Sequence, residues 1–382
     1  MKNFNFYMPT QIRFGEGRIN DLKEIIPSYG NKCLIVSRPV NGSLKKLYEK
    51  INKILKDIGV STFIYDGIVP NPTIDGVNEG VRIASENNID FVLGVGGGSV
   101  MDSAKLIAFL KNKNSEINWD DVTKKYSNPF KISEKPTNAV PFIAISTTSG
   151  SGSHCTQAAV VSDIEKKEKI TVFHSGLFPS VAIVDPELML SVPPKVSSAT
   201  GFDVFAHAFE SYLGNLTSPL TEKMSFDAIN LVFEYLPKVI NEPENIIYRS
   251  KMAWADTLAG MCLSNGGADL PHPLGEIIGG ICPRISHGET LAIVYPEFLK
   301  YKESISQEKF SLIEEKTGLK KIGKPLTFKI NALLKEINLY DSFNNSKISS
   351  NEIELISNHP LLNILQPENS TSIKNIMNNS LK

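Results

Sequence analysis

The first half of the chain alternates short apolar runs with longer amphipathic segments. The apolar runs are strand-like and lie at 32–37, 61–65 and 90–95. The segments at 43–59 and 71–88 place their apolar residues at helical spacing, and Gly59 is positioned to end the first of them. Repeated alternation of strand and helix predicts a parallel sheet covered by helices. Such sheets carry their ligands at the carboxyl ends of the strands.

A glycine-rich stretch stands at the end of the third strand. Gly96, Gly97, Gly98 and Ser99 follow it and lead into the helical run 106–110. Glycines allow a phosphate to approach the backbone, and the N–H groups at a helix start attract an anion. The stretch lacks the G-x-G-x-x-G pattern, so a simple tight turn remains the alternative to a pyrophosphate site.

A second loop of small residues follows the predicted strand 141–146. It begins with Thr147 and Thr148 and continues through serines and glycines to His154. Hydroxyl groups in this position can hydrogen-bond a ribose or a phosphate. A flexible polar loop without a ligand is the other interpretation.

The pattern changes near residue 186. A predicted hairpin with strands at 159–162 and 170–173 precedes one more strand at 181–186, and long helical patterns follow Pro193 and Pro194. We therefore expect a nucleotide-binding α/β domain over residues 1–185 and an all-helical domain over residues 186–382.

Asp203 and His207 lie four residues apart in a strongly apolar segment. In a helix they share one face, while Phe202, Phe205 and Phe209 fall on a neighbouring face and pack into a core. Taken alone, the pair could be a first-turn acid and a satisfied core histidine.

Two further histidines favour a metal site. His272 and His287 stand in segments rich in glycine and apolar residues, where an unpaired imidazole is costly to bury. One carboxylate and three imidazoles suit a divalent first-row ion such as zinc or iron(II). We expect Asp203, His207, His272 and His287 to form this site.

Charge and composition exclude several other classes. The 382 residues carry a formal net charge of −1 and no basic block, which argues against nucleic acid as a partner. No apolar run reaches the length of a membrane span or a signal peptide, so we expect a cytoplasmic protein without a membrane partner. The four cysteines show no C-x-x-C pairing and are expected to be buried thiols.

These motifs together resemble the iron-dependent, or group III, alcohol dehydrogenase family. The signatures occur in the family's order over most of the chain, at 6–10, 14–17, 71–73, 96–102, 147–153, 184–188, 201–210 and 286–289. The resemblance implies a plan like that of dehydroquinate synthase: an α/β N-terminal dinucleotide-binding domain, an all-α C-terminal metal-binding domain, and a cleft between them.

The same resemblance implies roles for individual residues. The family's metal ligands fall on Asp203, His207, His272 and His287. Its glycine-serine loop, Gly96 to Ser99, cradles the pyrophosphate; Thr147 and Thr148 lie along the rest of the nucleotide, and Asp102 lies near the nicotinamide.

Glu276 marks one departure from the family. Many members carry a second histidine four residues after the third ligand, beside the nicotinamide, and this chain has Glu276 there. We expect Glu276 to take over proton relay. An alternative alignment would place Ala268 at the third ligand; the register with His272 keeps four ligands and is preferred, because an incomplete site binds metal poorly.

Two further departures are His154 and Arg38. His154 ends the threonine-serine loop where the family has glutamate, and its role is open. Arg38 stands where many NAD-preferring members carry an aspartate. A guanidinium pairs with a 2′-phosphate, which favours NADP(H), whereas a solvated loop arginine is the alternative.

The leading hypothesis is reversible hydride transfer between NAD(P)H and a small alcohol or aldehyde, with a divalent metal, iron(II) before zinc. The family also implies a homodimer or a larger homo-oligomer. Two rival hypotheses remain: a metal-dependent lyase or cyclase resembling dehydroquinate synthase, and a non-catalytic nucleotide-binding protein.

Overall fold

A computed structural model describes residues 3–40, 42, 44–111, 117–130, 139–365 and 369–382. Its strands are β1 (Gln11–Phe14), β2 (Lys32–Val36), β3 (Ser61–Tyr65), β4 (Phe91–Gly96), β5 (Phe142–Ser146), β6 (Ala158–Asp163), β7 (Glu168–Phe173) and β8 (Val181–Val184).

The longer helices alternate with these strands and then replace them. They are α1 (Leu22–Ile25), α2 (Leu44–Asp57), α3 (Ile74–Glu86), α4 (Gly98–Leu110), α5 (Trp119–Lys125), α6 (Pro194–Leu213), α7 (Pro219–Asn241), α8 (Ile246–Gly266), α9 (Pro271–Ile281), α10 (His287–Ile305), α11 (Gln307–Lys316), α12 (Leu326–Glu336), α13 (Ser342–Ser346), α14 (Ser350–Ser357) and α15 (Ser370–Ser380). Short 3-10 helices lie at Arg18–Asp21, Ile26–Ser28, Ser153–Cys155, Ser175–Leu177, Pro186–Met189, Leu319–Ile322 and Pro360–Asn363.

The N-terminal half forms one parallel sheet in the order β1-β8-β5-β4-β2-β3. Ile35 pairs with Leu93 between β2 and β4, and Gly96 pairs with Ser146 between β4 and β5. β4 and β5 are buried along their whole length, because helices cover both faces. The predicted parallel α/β architecture is confirmed.

Local sequence explains how the covering helices begin and end. The buried face of α2 carries Leu47, Tyr48, Ile51, Ile54 and Leu55. Gly59 then takes a left-handed conformation with φ 75°, as its proposed capping position requires. At α3, the Thr73 hydroxyl accepts a hydrogen bond from the Gly76 N–H at 3.1 Å, and this cap fixes the start of the helix.

The predicted hairpin is also present, as the separate antiparallel pair β6–β7. It lies between the two halves: β6 contacts α4, and β7 contacts α9. Within the described residues from Pro194 onward, the regular elements are helices, and they enclose the largest hydrophobic core of the molecule. The hairpin therefore covers the cleft between the sheet and the helices.

Among the described residues, no helix is long and apolar enough to cross a membrane. Cys33, Cys155, Cys262 and Cys282 are buried free thiols, as predicted.

Candidate metal centre and cofactor cleft

Helix α6 holds Asp203 and His207 in the interior. Phe202 and Phe205 stack at 5.8 Å, Phe205 and Phe209 at 5.3 Å, and all three rings are fully buried. This packing leaves the opposite face of the helix for the polar pair. His207 Nε2 lies 3.4 Å from Asp203 Oδ1.

Two other helices bring imidazoles to the same carboxylate oxygen. His272 in the first turn of α9 places Nε2 3.5 Å from Asp203 Oδ1, and His287 at the start of α10 places Nε2 3.7 Å from it. Donor atoms bound about 2.1 Å from one ion in a tetrahedral arrangement lie about 3.4 Å apart. The spacing around Asp203 therefore fits donors that share a cation.

The cluster has a tight part and a looser member. Ligand atoms of Asp203, His207 and His272 all lie within 4.8 Å of one another. His287 lies outside that group, although its ring is 5.3 Å from the ring of His272. His287 is therefore the outlying member of the cluster.

Unpaired polar atoms give a second test of the metal interpretation. Asp203 Oδ1 and His272 Nε2 are buried and have no hydrogen-bond partner among the described residues, and the same holds for Nδ1 of His207 and of His287. Buried donors and acceptors are costly to leave unpaired. A divalent cation would satisfy the oxygen and the His272 nitrogen at once, so the residues present fit the group.

The sequence pattern assigned no role to Glu210, which the structure places behind His272. Its Oε2 accepts hydrogen bonds from the Asp269 N–H at 2.9 Å and from His272 Nδ1 at 2.8 Å, and the Tyr295 hydroxyl donates to Oε1 at 3.2 Å. With Nδ1 donating to Glu210, His272 presents Nε2 to the cluster. Carboxylates behind ligating histidines fix ring orientation and raise basicity. The i, i+7 spacing of Asp203 and Glu210 was the available signal.

Electrostatics separate the three histidines. Burial lowers the pKa of His207 to about 4 and that of His287 to about 3. Burial also disfavours a charge on His272, but Glu210 and Asp203 outweigh it and raise its pKa to about 10. Burial alone would raise the pKa of Asp203, yet the surrounding imidazoles hold it well below its usual range. A metal ion and a proton therefore compete for His272.

Glu276 follows His272 by one helical turn and faces the hairpin. Its Oε1 accepts a hydrogen bond from the Thr171 hydroxyl at 3.4 Å. Burial raises its pKa, against the opposing charges of Lys169 and His272. The Lys169 side chain packs against Gly279 of the same helix. A Cβ added to Gly279 would lie 3.0 Å from Lys169 Cε and 3.1 Å from its Nζ. An acid and an amine thus stand beside the histidine cluster.

The glycine loop packs directly on the second loop. A Cβ on Gly97 would lie 2.7 Å from the Thr148 hydroxyl, and one on Gly98 would lie 2.9 Å from the Ser151 side chain. The Thr147 N–H donates to the Gly96 carbonyl at 3.0 Å. Close packing therefore accounts for the glycines in part. Because α4 begins at Gly98, its first N–H groups remain available to an anion.

Asp102 in α4 bridges the second loop and the hairpin. The Ser153 hydroxyl donates to Oδ1 at 2.6 Å and the Val160 N–H to Oδ2 at 2.9 Å. Burial raises its pKa, while Lys105 lowers it. The Lys105 amine lies 3.9 Å away and donates to Thr156 and to the Ala158 carbonyl. Asp102 thus fixes the cleft wall.

His154 lies behind the cleft. Its Nε2 is 3.0 Å from the Thr257 hydroxyl and its Nδ1 is 3.8 Å from Asp256, both on α8. Asp256 in turn accepts the Gly152 N–H at 2.8 Å. Side chains of His154 and Asp256 are only 2% exposed. The residue that replaces the family's glutamate therefore anchors the second loop to the helical half.

One cavity of about 540 Å³ contains most of the predicted residues. Those that line it are Gly98, Ser99, Asp102, Thr148, Asp203, His207, His272, Glu276 and His287. Gly96, Gly97 and Thr147 lie just behind this surface, in the packing of the two loops. Arg38 is exposed two residues after β2, outside the cavity lining. Ala268, the alternative third position, also lines the cavity, and the geometry favours His272 because its ring reaches Asp203.

Both halves of the chain match sequence profiles of one family. Residues 9–186 match the iron-containing alcohol dehydrogenase profile, and residues 197–379 match the C-terminal profile of the Fe-containing alcohol dehydrogenase family. Similar proteins include the NAD-dependent methanol dehydrogenase of Bacillus methanolicus, 32% identical over 82% of this chain and 80% of the relative. The NADPH-dependent butanol dehydrogenase of Clostridium saccharobutylicum is 30% identical over 87% of this chain and 83% of its own length.

Solved structures agree over the whole fold. An archaeal halo-thermophilic alcohol dehydrogenase from a Red Sea brine pool superimposes with a TM-score of 0.89 at 28% identity, covering 100% of both chains. The sulfoacetaldehyde reductase of Bifidobacterium kashiwanohense superimposes with a TM-score of 0.82 at 26% identity, again covering 100% of both. Sequence and fold therefore agree that the chain belongs to the iron-containing alcohol dehydrogenase family.

Proposed function

We propose that this chain catalyses reversible hydride transfer between a nicotinamide cofactor and a small alcohol or aldehyde. One observation carries the proposal: the Asp203 histidine cluster opens into the same cavity as Gly98 and Ser99 at the start of α4. A carbonyl-binding cation and a phosphate-binding helix start are the two parts that this chemistry needs in one cleft.

Asp203, His207, His272 and His287 would hold the divalent ion, for which we propose iron(II) before zinc. When bound, the ion supplies Lewis acidity to the substrate oxygen. Glu210 keeps His272 in the tautomer that offers Nε2, since its Oε2 accepts the Nδ1 proton. Packed phenylalanines on α6 keep Asp203 and His207 at fixed spacing.

The cofactor would lie along the carboxyl edge of the sheet. The N–H groups at the start of α4 would receive its pyrophosphate, and Thr148 would lie beside it, with Gly96, Gly97 and Thr147 shaping the loops behind. Asp102 would stand near the nicotinamide and hold the hairpin in place. The cofactor carries the hydride; the protein orients it.

Glu276 would exchange the proton of the substrate hydroxyl. It lines the cavity one turn from His272, and burial raises the pKa of its carboxyl, which favours a group that both holds and releases a proton. Lys169 on β7 would favour the charged carboxylate, which is the form that accepts the proton of the alcohol.

Arg38 leads us to propose a preference for NADP(H). It is exposed at the carboxyl end of β2, next to β4 in the sheet, where the adenosine ribose of a bound dinucleotide would lie. Relatives of both kinds exist, since they include an NAD-dependent methanol dehydrogenase and an NADPH-dependent butanol dehydrogenase. We also propose a domain boundary near residue 186, a homo-oligomeric state and a cytoplasmic location.

The test is a panel of alcohols and aldehydes on metal-reconstituted protein, followed by nicotinamide absorbance with NADH and NADPH in parallel. We expect turnover that His272→Ala or His287→Ala abolishes together with metal binding, and a lower KM for NADPH than for NADH. Full activity of a metal-free variant would refute the metal role. A cofactor that binds but never changes its absorbance would favour the lyase or the non-catalytic alternative.

A further inference from the structure

A second cavity of about 280 Å³ adjoins the cleft. Its wall is largely aromatic and aliphatic, from Phe4, Tyr7, Phe130, Phe178 and Leu216. Pro129, Gln157 and Ser264 line this cavity and also the larger one that holds the histidine cluster. The two spaces therefore share a wall; we call the smaller one the distal chamber.

Gln157 is the central residue of that wall. Its side-chain N–H groups donate to the Pro129 carbonyl at 3.1 Å and to the Ser264 carbonyl at 2.8 Å. Its Oε1 is buried and has no partner among the described residues. The amide is thus fixed at its donor end, and its acceptor oxygen is a buried polar atom left without a partner among the described residues.

The far side of the distal chamber is held by specific contacts. Asn265 Oδ1 accepts the Tyr7 N–H at 2.8 Å, and Asn265 Nδ2 donates to the Tyr7 carbonyl at 3.3 Å. The Tyr7 ring meets Phe178 edge to face at 5.7 Å. These contacts tie the N-terminal segment to α8, so the chamber has a defined shape.

The cleft beside this wall is lined by small and apolar residues, Leu263, Gly267 and Ala268. Under the proposed function, a substrate with its oxygen at Asp203 and the histidines would extend its apolar part along these residues towards Gln157 and Ser264.

We propose that the distal chamber binds the far end of a linear aliphatic alcohol or aldehyde, so that the protein prefers medium-chain substrates to ethanol or acetaldehyde. The inference rests on the proposed function and names its substrate class. Each methylene moved from water into an apolar site is worth about fourfold in affinity. The chain length at which kcat/KM rises should therefore mark entry into the chamber.

The experiment measures kcat/KM for straight-chain primary alcohols from ethanol to octanol, on holoenzyme with saturating oxidised cofactor. Leu216→Asp charges the rim, because Leu216 is 49% exposed and lines the chamber. Leu220→Asp is the matched control: Leu220 is 41% exposed and lines neither cavity. Phe130→Ala is a second variant that removes apolar wall from a residue 46% exposed. Calorimetric titration with octanol reports binding without turnover.

We expect kcat/KM of the unchanged protein to rise by about threefold or more per added methylene among the longer alcohols. Leu216→Asp and Phe130→Ala should lower kcat/KM for octanol at least tenfold and leave kcat/KM for ethanol unchanged. Leu220→Asp should give the same kcat/KM values as the parent. Turnover with a flat profile in the parent overturns the proposal. The proposal is also overturned if Leu216→Asp changes the oligomeric state but not the dependence of kcat/KM on chain length. The chamber would then be a contact between subunits.

Failure of the proposed function gives a different result. No alcohol would then be oxidised, while octanol binding that Leu216→Asp weakens would still support the chamber. Absence of octanol binding in a protein that turns over short alcohols would reject the chamber alone.

Discussion

At the scale of single residues, the orientation of His272 depends on Glu210. The carboxylate is fully buried and accepts from three donors: the Asp269 N–H, His272 Nδ1 and the Tyr295 hydroxyl. A charge so deep in the core is costly unless its partners compensate for lost hydration. Glu210 lies one helical turn from the imidazole cluster. We therefore infer that its buried charge serves the cluster and not only the stability of the core.

We predict that Glu210→Gln weakens divalent metal binding by about 10- to 100-fold, because the amide holds the His272 ring less firmly and lowers its basicity. Competition with a chromogenic chelator measures the affinity. Glu234→Gln is the control, since Glu234 pairs with Lys238 on the surface of α7. Equal metal affinity in Glu210→Gln and the parent would show that Glu210 does not position the ligand.

For Glu276 we predict a loss of about 100-fold in kcat when it is replaced by glutamine, which keeps the shape but carries no exchangeable acid proton. Burial raises the pKa of its carboxyl, so Glu276 loses its proton at a higher pH than an exposed glutamate does. The pH profile of kcat should therefore lose one ionisation in the variant. Glu276→His should recover part of the rate. A profile that is the same in the glutamine variant would remove Glu276 from the chemistry.

At the scale of elements, α8 and the second loop meet through two glycines. A Cβ on Gly260 would lie 2.6 Å from Cys155 Sγ and 2.8 Å from the Gly152 carbonyl oxygen. Gly152 itself has φ 59°. Backbone contact this close lets Asp256 on α8 reach the Gly152 N–H. The helix and the second loop are consequently fixed relative to each other.

We predict that Gly260→Ala destabilises the protein by about 1–3 kcal/mol, because the methyl group cannot fit without moving the loop. KM for the cofactor should rise in parallel. Gly76→Ala is the reference: in the first turn of α3 a Cβ meets its nearest neighbours at 3.4 Å. There alanine should stabilise by up to about 1 kcal/mol. Urea unfolding measures the free energy of unfolding of both variants. Equal changes in Gly260→Ala and Gly76→Ala would contradict the packing argument.

At the scale of the whole molecule, His154 and Asp256 connect the sheet half to the helical half inside the core. Burial lowers the pKa of His154 to about 4 and raises that of Asp256 to about 7. Both shifts favour the neutral form of each group. The pair therefore behaves as a buried polar contact between the halves, and its stability depends on pH.

We predict that His154 makes the protein less stable as pH falls from about 6.5 to about 4, because the unfolded chain takes up a proton that the folded chain excludes. The contribution is fully present above about 6.5, and its loss is on the order of 3 kcal/mol. Urea unfolding across this range should show a smaller decrease for His154→Asn than for the parent.

Asp256 acts in the opposite direction: its raised folded pKa gives stability that is fully present below about pH 4 and is lost as pH rises to about 7. Asp256→Asn should therefore lose more stability than the parent on acidification from about pH 7 to about pH 4, because the opposing contribution of Asp256 is gone. Parallel profiles for the parent and His154→Asn would show that His154 is not buried in its neutral form.

The sequence by itself determined the elements and the chemical types in the cleft. Short apolar runs, helical patterns, the capping Gly59 and the glycine-rich turn depend on neighbours within a few residues, so the alternation and the parallel sheet were predictable. Asp203 and His207 share a helix face for the same reason. Together with the family resemblance, His272 and His287 could be named, although their separation of many residues gave no rule for where they meet.

Only the tertiary structure decided how these groups meet. The Glu210–His272 contact spans 62 positions, the Gly152–Asp256 contact 104, and the Gln157–Ser264 contact 107. A hydrogen bond across such a distance depends on how helices pack, and packing arises from all the apolar contacts together rather than from any local pattern. For this reason the ligand types were readable in the sequence, whereas their orientation, the place of His154 and the distal chamber were not.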